Sequence, residues 1–75
     1  MIPRGIEKID VPSSVNTIAI EAFNGCDKLS EVKLHEGLGK IEDYGFYWCN
    51  NLKDITMPST VYHIGASAFE HCASL

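Results

Sequence analysis

Leu52-Lys53-Asp54-Ile55-Thr56-Met57-Pro58-Ser59-Thr60-Val61-Tyr62-His63-Ile64-Gly65-Ala66-Ser67-Ala68-Phe69-Glu70-His71-Cys72 reads as one unit of a repeat. Stepping back by 23 residues meets Leu29, Ile41, Phe46 and Cys49; a second step meets Ile18, Phe23 and Cys26. The Ile, Phe, Cys and Leu columns (the last being Leu29, Leu52, Leu75) are identical in three copies. Ordinary residue frequencies give about a tenth of such a column by chance. Further columns agree in chemistry: Ile9, Val32 and Ile55; Val11, Leu34 and Met57; Val15, Leu38 and Val61; Ala22, Gly45 and Ala68. Ile6 fits the Leu column, so the copies span 6–28, 29–51 and 52–74. A fixed period with apolar columns is the mark of stacked coils, since one coil cannot bury its apolar side alone.

Within a coil, Leu29-x-x-Val32-x-Leu34 carries the two-residue alternation of a strand with one buried face. Its counterparts begin at Ile6 and Leu52, and stacked copies run parallel about 4.8 Å apart. Pro12 and Pro58 follow two of these strands and stop them, because proline cannot donate to the ladder. In the middle copy Gly37 and Gly39 serve the turn. The path back carries Ala22, Phe23 and Cys26 at i, i+1 and i+4, a spacing that predicts one short 3₁₀ or α turn per coil. Alanine or glycine beside the Phe column leaves room for the large ring.

The chain has 75 residues, so it forms one domain at most. Six Lys and Arg face ten Asp and Glu, for a net charge of −4. Nucleic-acid binding asks for a basic stripe and a polybasic membrane contact for clustered Lys or Arg; neither is present. A hydrophobic content of 45% excludes a disordered chain. No apolar run approaches 18 residues, so no membrane-spanning helix is predicted. Met1-Ile2-Pro3-Arg4-Gly5 lacks the apolar core of a signal peptide.

The unit Leu-x-x-Val-x-Leu-Pro-x-x-Val-x-x-Ile-Gly-x-x-Ala-Phe-x-x-Cys resembles the BspA-like leucine-rich repeats, common in bacterial and protozoan surface proteins. The likeness covers nearly all of the chain after residue 5, and Leu52–Cys72 matches best. It implies a leucine-rich repeat solenoid, curved and right-handed, with a parallel β-sheet on the concave side and turns on the convex side. It also implies a non-catalytic role in macromolecular recognition, with a protein or glycan partner, an extracellular or cell-surface setting and no cofactor. Its motif contains no catalytic residue. There are departures: His35 replaces the proline of Pro12 and Pro58, and Glu42 and Ala19 stand where Gly65 keeps the pattern. Ser14, Gly37 and Thr60 occupy the place where common leucine-rich repeats carry Asn or Cys, so no buried asparagine ladder is expected.

The three cysteines read as one buried column, with Ile18, Phe23, Leu29, Ile41, Phe46, Leu52, Ile64, Phe69 and Leu75 completing the core. Their odd number and 23-residue spacing match neither a closed disulfide framework nor a zinc site. His71-Cys72 is the only Cys beside a His, but consecutive residues in a tight turn point apart, which is poor geometry for a base and its nucleophile. Tyr44, Tyr47 and Trp48 lie at i, i+3 and i+4 and share a face if their segment is a helical turn. The same columns hold polar residues in other copies, so these rings, and Tyr62 in a column of Asn16 and Gly39, face outward. Clustered exposed Tyr and Trp are a binding signal; the plainer reading is that the rings shield one another over an irregular coil. The concave strand face presents Lys8, Asp10, Glu31, Lys33, Asp54 and Thr56, with Lys8 opposite Glu31 and Asp10 opposite Lys33.

The last coil ends in exposed Ile64, Phe69, Cys72 and Leu75 columns, and the strand at 52–57 has an open edge. The expectation is an excerpt of a longer array, or self-association through this face; an architectural spacer with no ligand of its own is the alternative function.

Overall fold

The computed structural model describes residues 4–75. Met1, Ile2 and Pro3, on which part of the signal-peptide reading rests, lie outside the described residues. Six short strands follow in order: β1 (Lys8–Asp10), β2 (Thr17–Ile18), β3 (Glu31–Lys33), β4 (Lys40–Ile41), β5 (Asp54–Ile55) and β6 (His63–Ile64). They form two parallel sheets, β1-β3-β5 and β2-β4-β6. Every pairing is offset by one repeat: Lys8 lies opposite Glu31, Ile9 opposite Val32, Asp10 opposite Lys33, and Ile18 opposite Ile41. The chain therefore climbs one coil per repeat. Its accessible surface is 4491 Å², close to the about 4,600 Å² of a compact domain of this mass.

The second sheet was not anticipated. Each of its strands is two residues long, too short to show an alternation. Residues 19–29 then run through single i+3 to i closures: the amides of Ala22, Asn24, Cys26 and Leu29 donate to the carbonyls of Ala19, Glu21, Phe23 and Cys26. No helix propagates because left-handed residues interrupt the path. Glu21, Tyr44 and Ser67 have φ of 60°, 59° and 57°, and Gly25, Trp48 and His71 have φ of 77°, 62° and 64°. Those are two complete repeat columns. The intervening amides reach the next coil instead: Glu21, Phe23 and Gly25 donate to the carbonyls of Asp43, Gly45 and Tyr47 at 3.1, 2.8 and 2.8 Å, and Tyr44, Phe46 and Trp48 repeat the pattern to Ala66, Ala68 and Glu70. A third ladder of inter-coil bonds thus runs along the turn side and meets the demand of the buried amides.

The core is the set of stacked columns. Phe46 is fully buried, parallel to Phe23 at 4.9 Å and to Phe69 at 5.2 Å. Leu29, Leu52, Ile41, Cys26 and Cys49 are buried beside it. The small column is needed where expected: a Cβ on Gly45 would come within 3.0 Å of the Ile41 side chain. Ile64 and Leu75 depart from the core assignment. They are 49% and 58% exposed, at the end of the described coils, where Phe69 and Cys72 are also only half-buried.

The departures from the repeat pattern have local partners. His35, in the proline column, places Nε2 2.6 Å from Asp10 Oδ1 on the previous strand. Glu42, in the glycine column, lies 3.6 Å from His63 Nε2 of the next coil. At Gly65 the pattern is enforced by the chain above: a Cβ there would sit 2.5 Å from the Asp43 amide nitrogen, while Asp43 Oδ1 accepts from Ala66 N at 2.9 Å. In place of an asparagine ladder, the Thr60 hydroxyl donates to the Leu38 carbonyl at 2.7 Å and accepts from Gly37 N at 3.0 Å.

Candidate functional site

The turn side presents the rings that the spacing singled out. Tyr44 and Trp48 both have left-handed backbones, and Tyr47 lies between them. A helical turn is therefore not what gathers them; alternating left- and right-handed residues is. Tyr44 and Tyr47 meet edge to face, with centroids 5.1 Å apart and planes at 84°. Tyr47 and Trp48 do the same at 6.0 Å and 86°. Tyr44 and Trp48 stay 40% and 44% exposed.

His71 completes the group. Its ring lies 4.3 Å from the Trp48 ring at 20°, stacked, and 5.5 Å from Tyr47, edge to face. In the sequence His71 stands out only as the neighbour of Cys72. The signal that would have found it was its column, shared with Trp48 and Gly25: stacked coils bring equivalent side chains face to face. Tyr62 does not join the group. It is 74% exposed and makes no ring contact among the described residues. Its ring covers Gly39 of the previous coil, where a Cβ would come within 2.7 Å of the Tyr62 Cε2.

The strand side is plainer. Lys8, Asp10, Glu31, Lys33 and Asp54 alternate outward from the first sheet in the expected register, whereas Thr56 lies one residue beyond β5. Facing charges do not close into ion pairs: among the described residues every pair within 4.0 Å involves a histidine, namely His35 with Asp10, His63 with Glu42 and His71 with Glu70. Such exposed pairs contribute little.

The thiols sit buried or half-buried, two of them as hydrogen-bond donors. All three are free. Cys49 Sγ donates to the Phe23 carbonyl at 3.2 Å, and Cys72 Sγ to the Phe46 carbonyl at 3.1 Å. Burial, with small contributions from the neighbouring thiols Cys72 and Cys26, pushes the Cys49 thiol up to about 12. Burial also raises Cys26 and Cys72. A nucleophilic cysteine needs the opposite shift. His71 stacks on Trp48, and the Cys72 thiol is turned to the Phe46 carbonyl, so the adjacent pair does not work as base and nucleophile. Among the described residues no three His, Cys, Asp or Glu side chains gather as metal ligands.

The repeat geometry agrees with the comparisons. The BspA type leucine-rich repeat region model matches residues 4–75. The crystal structure of a leucine-rich repeat protein of T. pallidum superposes with a TM-score of 0.87 at 31% identity, over 97% of this chain and 36% of that one. A leucine-rich repeat protein from Bacteroides capillosus superposes with a TM-score of 0.77 at 42% identity, over 80% of this chain and 44% of that one. The matched part of this chain thus spans about a third of one solved relative and less than half of the other. No curated protein matches. A six-copy family model along the described residues, and two solved leucine-rich repeat proteins sharing the path of the chain, lead to one assignment: the chain belongs to the BspA-type leucine-rich repeat family.

Proposed function

We propose that the chain is a non-catalytic recognition module and that Tyr44, Tyr47, Trp48 and His71 form its contact surface for a protein or glycan partner. Leucine-rich repeats serve protein interaction in general, which supports a binding role without naming a partner. The observation that carries the reading is the cluster itself: Tyr44 and Trp48 stay exposed while Tyr47 and His71 hold them edge to face and stacked. Tyr44, Trp48 and His71 hold φ near 60°, a conformation that costs a residue with a Cβ roughly 1–2 kcal/mol. The first copy uses Gly25 in the Trp48 column. Glu21 and Ser67 hold the same left-handed backbone, so that conformation belongs to the coil, and the half-exposed indole is an addition the coil does not require.

The test is Trp48→Gly, the residue the repeat itself tolerates. Losing the stack on His71 removes about 0.5–1.5 kcal/mol, and relieving the left-handed backbone returns roughly 1–2 kcal/mol. The urea-derived stability is therefore expected to stay within about 1 kcal/mol of the parent, from these same two terms. On an array of immobilised peptides and oligosaccharides the parent is expected to bind a set of probes that the variant does not. A stability loss of about 3 kcal/mol or more, the size of a removed core ring, would make the indole a plug in the middle coil instead. An array that cannot tell the two proteins apart would end the recognition reading.

A second reading is self-association through the last coil. It is favoured by exposed Ile64 and Leu75 and by the open edges of β5 and β6. Light scattering behind a sizing column is expected to show dimers or larger species as concentration rises. A monomer at every concentration removes it.

A further inference from the structure

Lysines, not carboxylates, are unevenly divided on this molecule: the ten carboxylates fall five in the turn segments and five outside them, namely Glu7, Asp10, Glu31, Glu36 and Asp54. The turn segments 19–28, 42–51 and 65–74 hold five carboxylates, Glu21, Asp27, Glu42, Asp43 and Glu70, against a single lysine, Lys28. Lys8, Lys33, Lys40 and Lys53 belong to or adjoin the strands. The carboxylates also border the rings. Glu21 shares the Tyr44 column one coil before, Glu70 shares the Tyr47 column one coil after, and Glu70 Oε2 lies 4.0 Å from His71 Nε2. Aromatic faces attract cations through their quadrupole, and Trp does so best. Anionic neighbours add to that attraction and oppose an acidic ligand.

One guanidinium lies at the margin of this surface. At Gly25, one coil before Trp48 in the same column, the Arg4 Cζ lies 3.3 Å from the place a Cβ would take. Arg4 thus fills the level at which this column carries no side chain. A guanidinium is planar, weakly hydrated and suited to stacking on rings.

Building on the recognition reading, we infer that the partner is a basic protein segment, whose arginine side chains pack on the exposed parts of Tyr44 and Trp48, the Trp48 face against His71 being already taken. Glu70 and Glu21 take up their charge. The edge-to-face contacts of Tyr47 hold the two receiving rings at fixed angles, so little ordering is left for the moment of binding.

Trp48 is the only tryptophan, so its emission reports on this surface alone. The full chain is titrated with a capped arginine–glycine repeat peptide and with the same peptide carrying citrulline at every arginine. A saturable change in emission is expected for the arginine peptide, with affinity at least about fivefold weaker for citrulline, as the loss of one cation–π contact implies. Glu70→Gln is expected to weaken the arginine peptide and to leave the urea midpoint in place. Trp48→Gly, followed by anisotropy of a labelled peptide, is expected to abolish binding. Equal affinity for the citrulline peptide, or an unmoved Glu70→Gln, overturns the cationic partner. A saturable response to neutral oligosaccharides or acidic peptides alone also overturns it, yet leaves the recognition surface standing. If no probe perturbs Trp48, both readings fall.

Discussion

Phe46→Ala is expected to take away a large share of the stability of the fold. Phe46 has no exposed surface and is sandwiched between Phe23 at 4.9 Å and Phe69 at 5.2 Å, so truncation empties the middle of the three-ring core stack. Loss of a buried Phe costs about 3–5 kcal/mol, part from transfer and part from the cavity left behind. A domain of this length has a total stability of about 4–11 kcal/mol. At the lower end of that range the variant is close to its unfolding midpoint without denaturant, and at the upper end its urea midpoint falls by about a third or more. The comparison with Phe69→Ala sharpens the result. Phe69 touches one ring, not two, and is half-buried, so its loss should be clearly smaller. Urea unfolding followed by circular dichroism measures both. If Phe46→Ala cost no more than about 1 kcal/mol, far below the range for a buried ring, the stacked column would not be what holds the coils together.

That column was legible because burial is repetitive. A side chain that must fit between its copies cannot drift, so Phe23, Phe46 and Phe69 keep their chemistry, and their spacing states the register of β1, β3 and β5 directly. The features that build the candidate site left no such trace. The left-handed columns admit Glu21, Tyr44 and Ser67 in one and Gly25, Trp48 and His71 in the other. Only Gly25 among the six is a residue that hints at positive φ. An exposed position tolerates many side chains, and the backbone strain is held by the inter-coil bonds from Tyr44 N to Ala66 O and from Trp48 N to Glu70 O, which involve no particular side chain. The rings could be named from their columns, but their company could not. His71 joined through stacking one coil away, and Tyr62 left to cover Gly39. The second sheet was silent for a related reason: two-residue strands have no period to read, and their bonding is decided by the coils on either side.

Alkaline solution is expected to unfold this protein through its cysteine column. The Cys49 thiol has an ordinary value of 9.0 and is raised to about 12, first by burial and then by its two neighbouring thiols. A raised value means that the folded state holds its proton more tightly than the unfolded chain does. Below about pH 9 both states are protonated, and the group makes no difference with pH. Between pH 9 and 12 the unfolded chain releases the proton while the folded one keeps it, so stability falls with a slope of about 1.4 kcal/mol per pH unit. The integrated loss approaches about 4 kcal/mol by pH 12, comparable to removing the central ring. Cys26 and Cys72 are raised as well and steepen the decline. Urea midpoints at pH 8, 9, 10 and 11 should hold steady at first and then fall. Cys49→Ala will be less stable at pH 8, because it loses a buried side chain, but its curve should be flatter. An equal slope in Cys49→Ala and in the parent would show that some other group drives the alkaline transition. The same burial predicts slow alkylation of Cys49 at pH 8. A thiol near 12 has about 10⁻⁴ of its population as thiolate there, against about 10⁻¹ for an ordinary one at 9.0, so labelling should proceed through unfolding alone. Prompt modification of native Cys49, located by peptide mass mapping, would place this thiol at the surface and undo both expectations together.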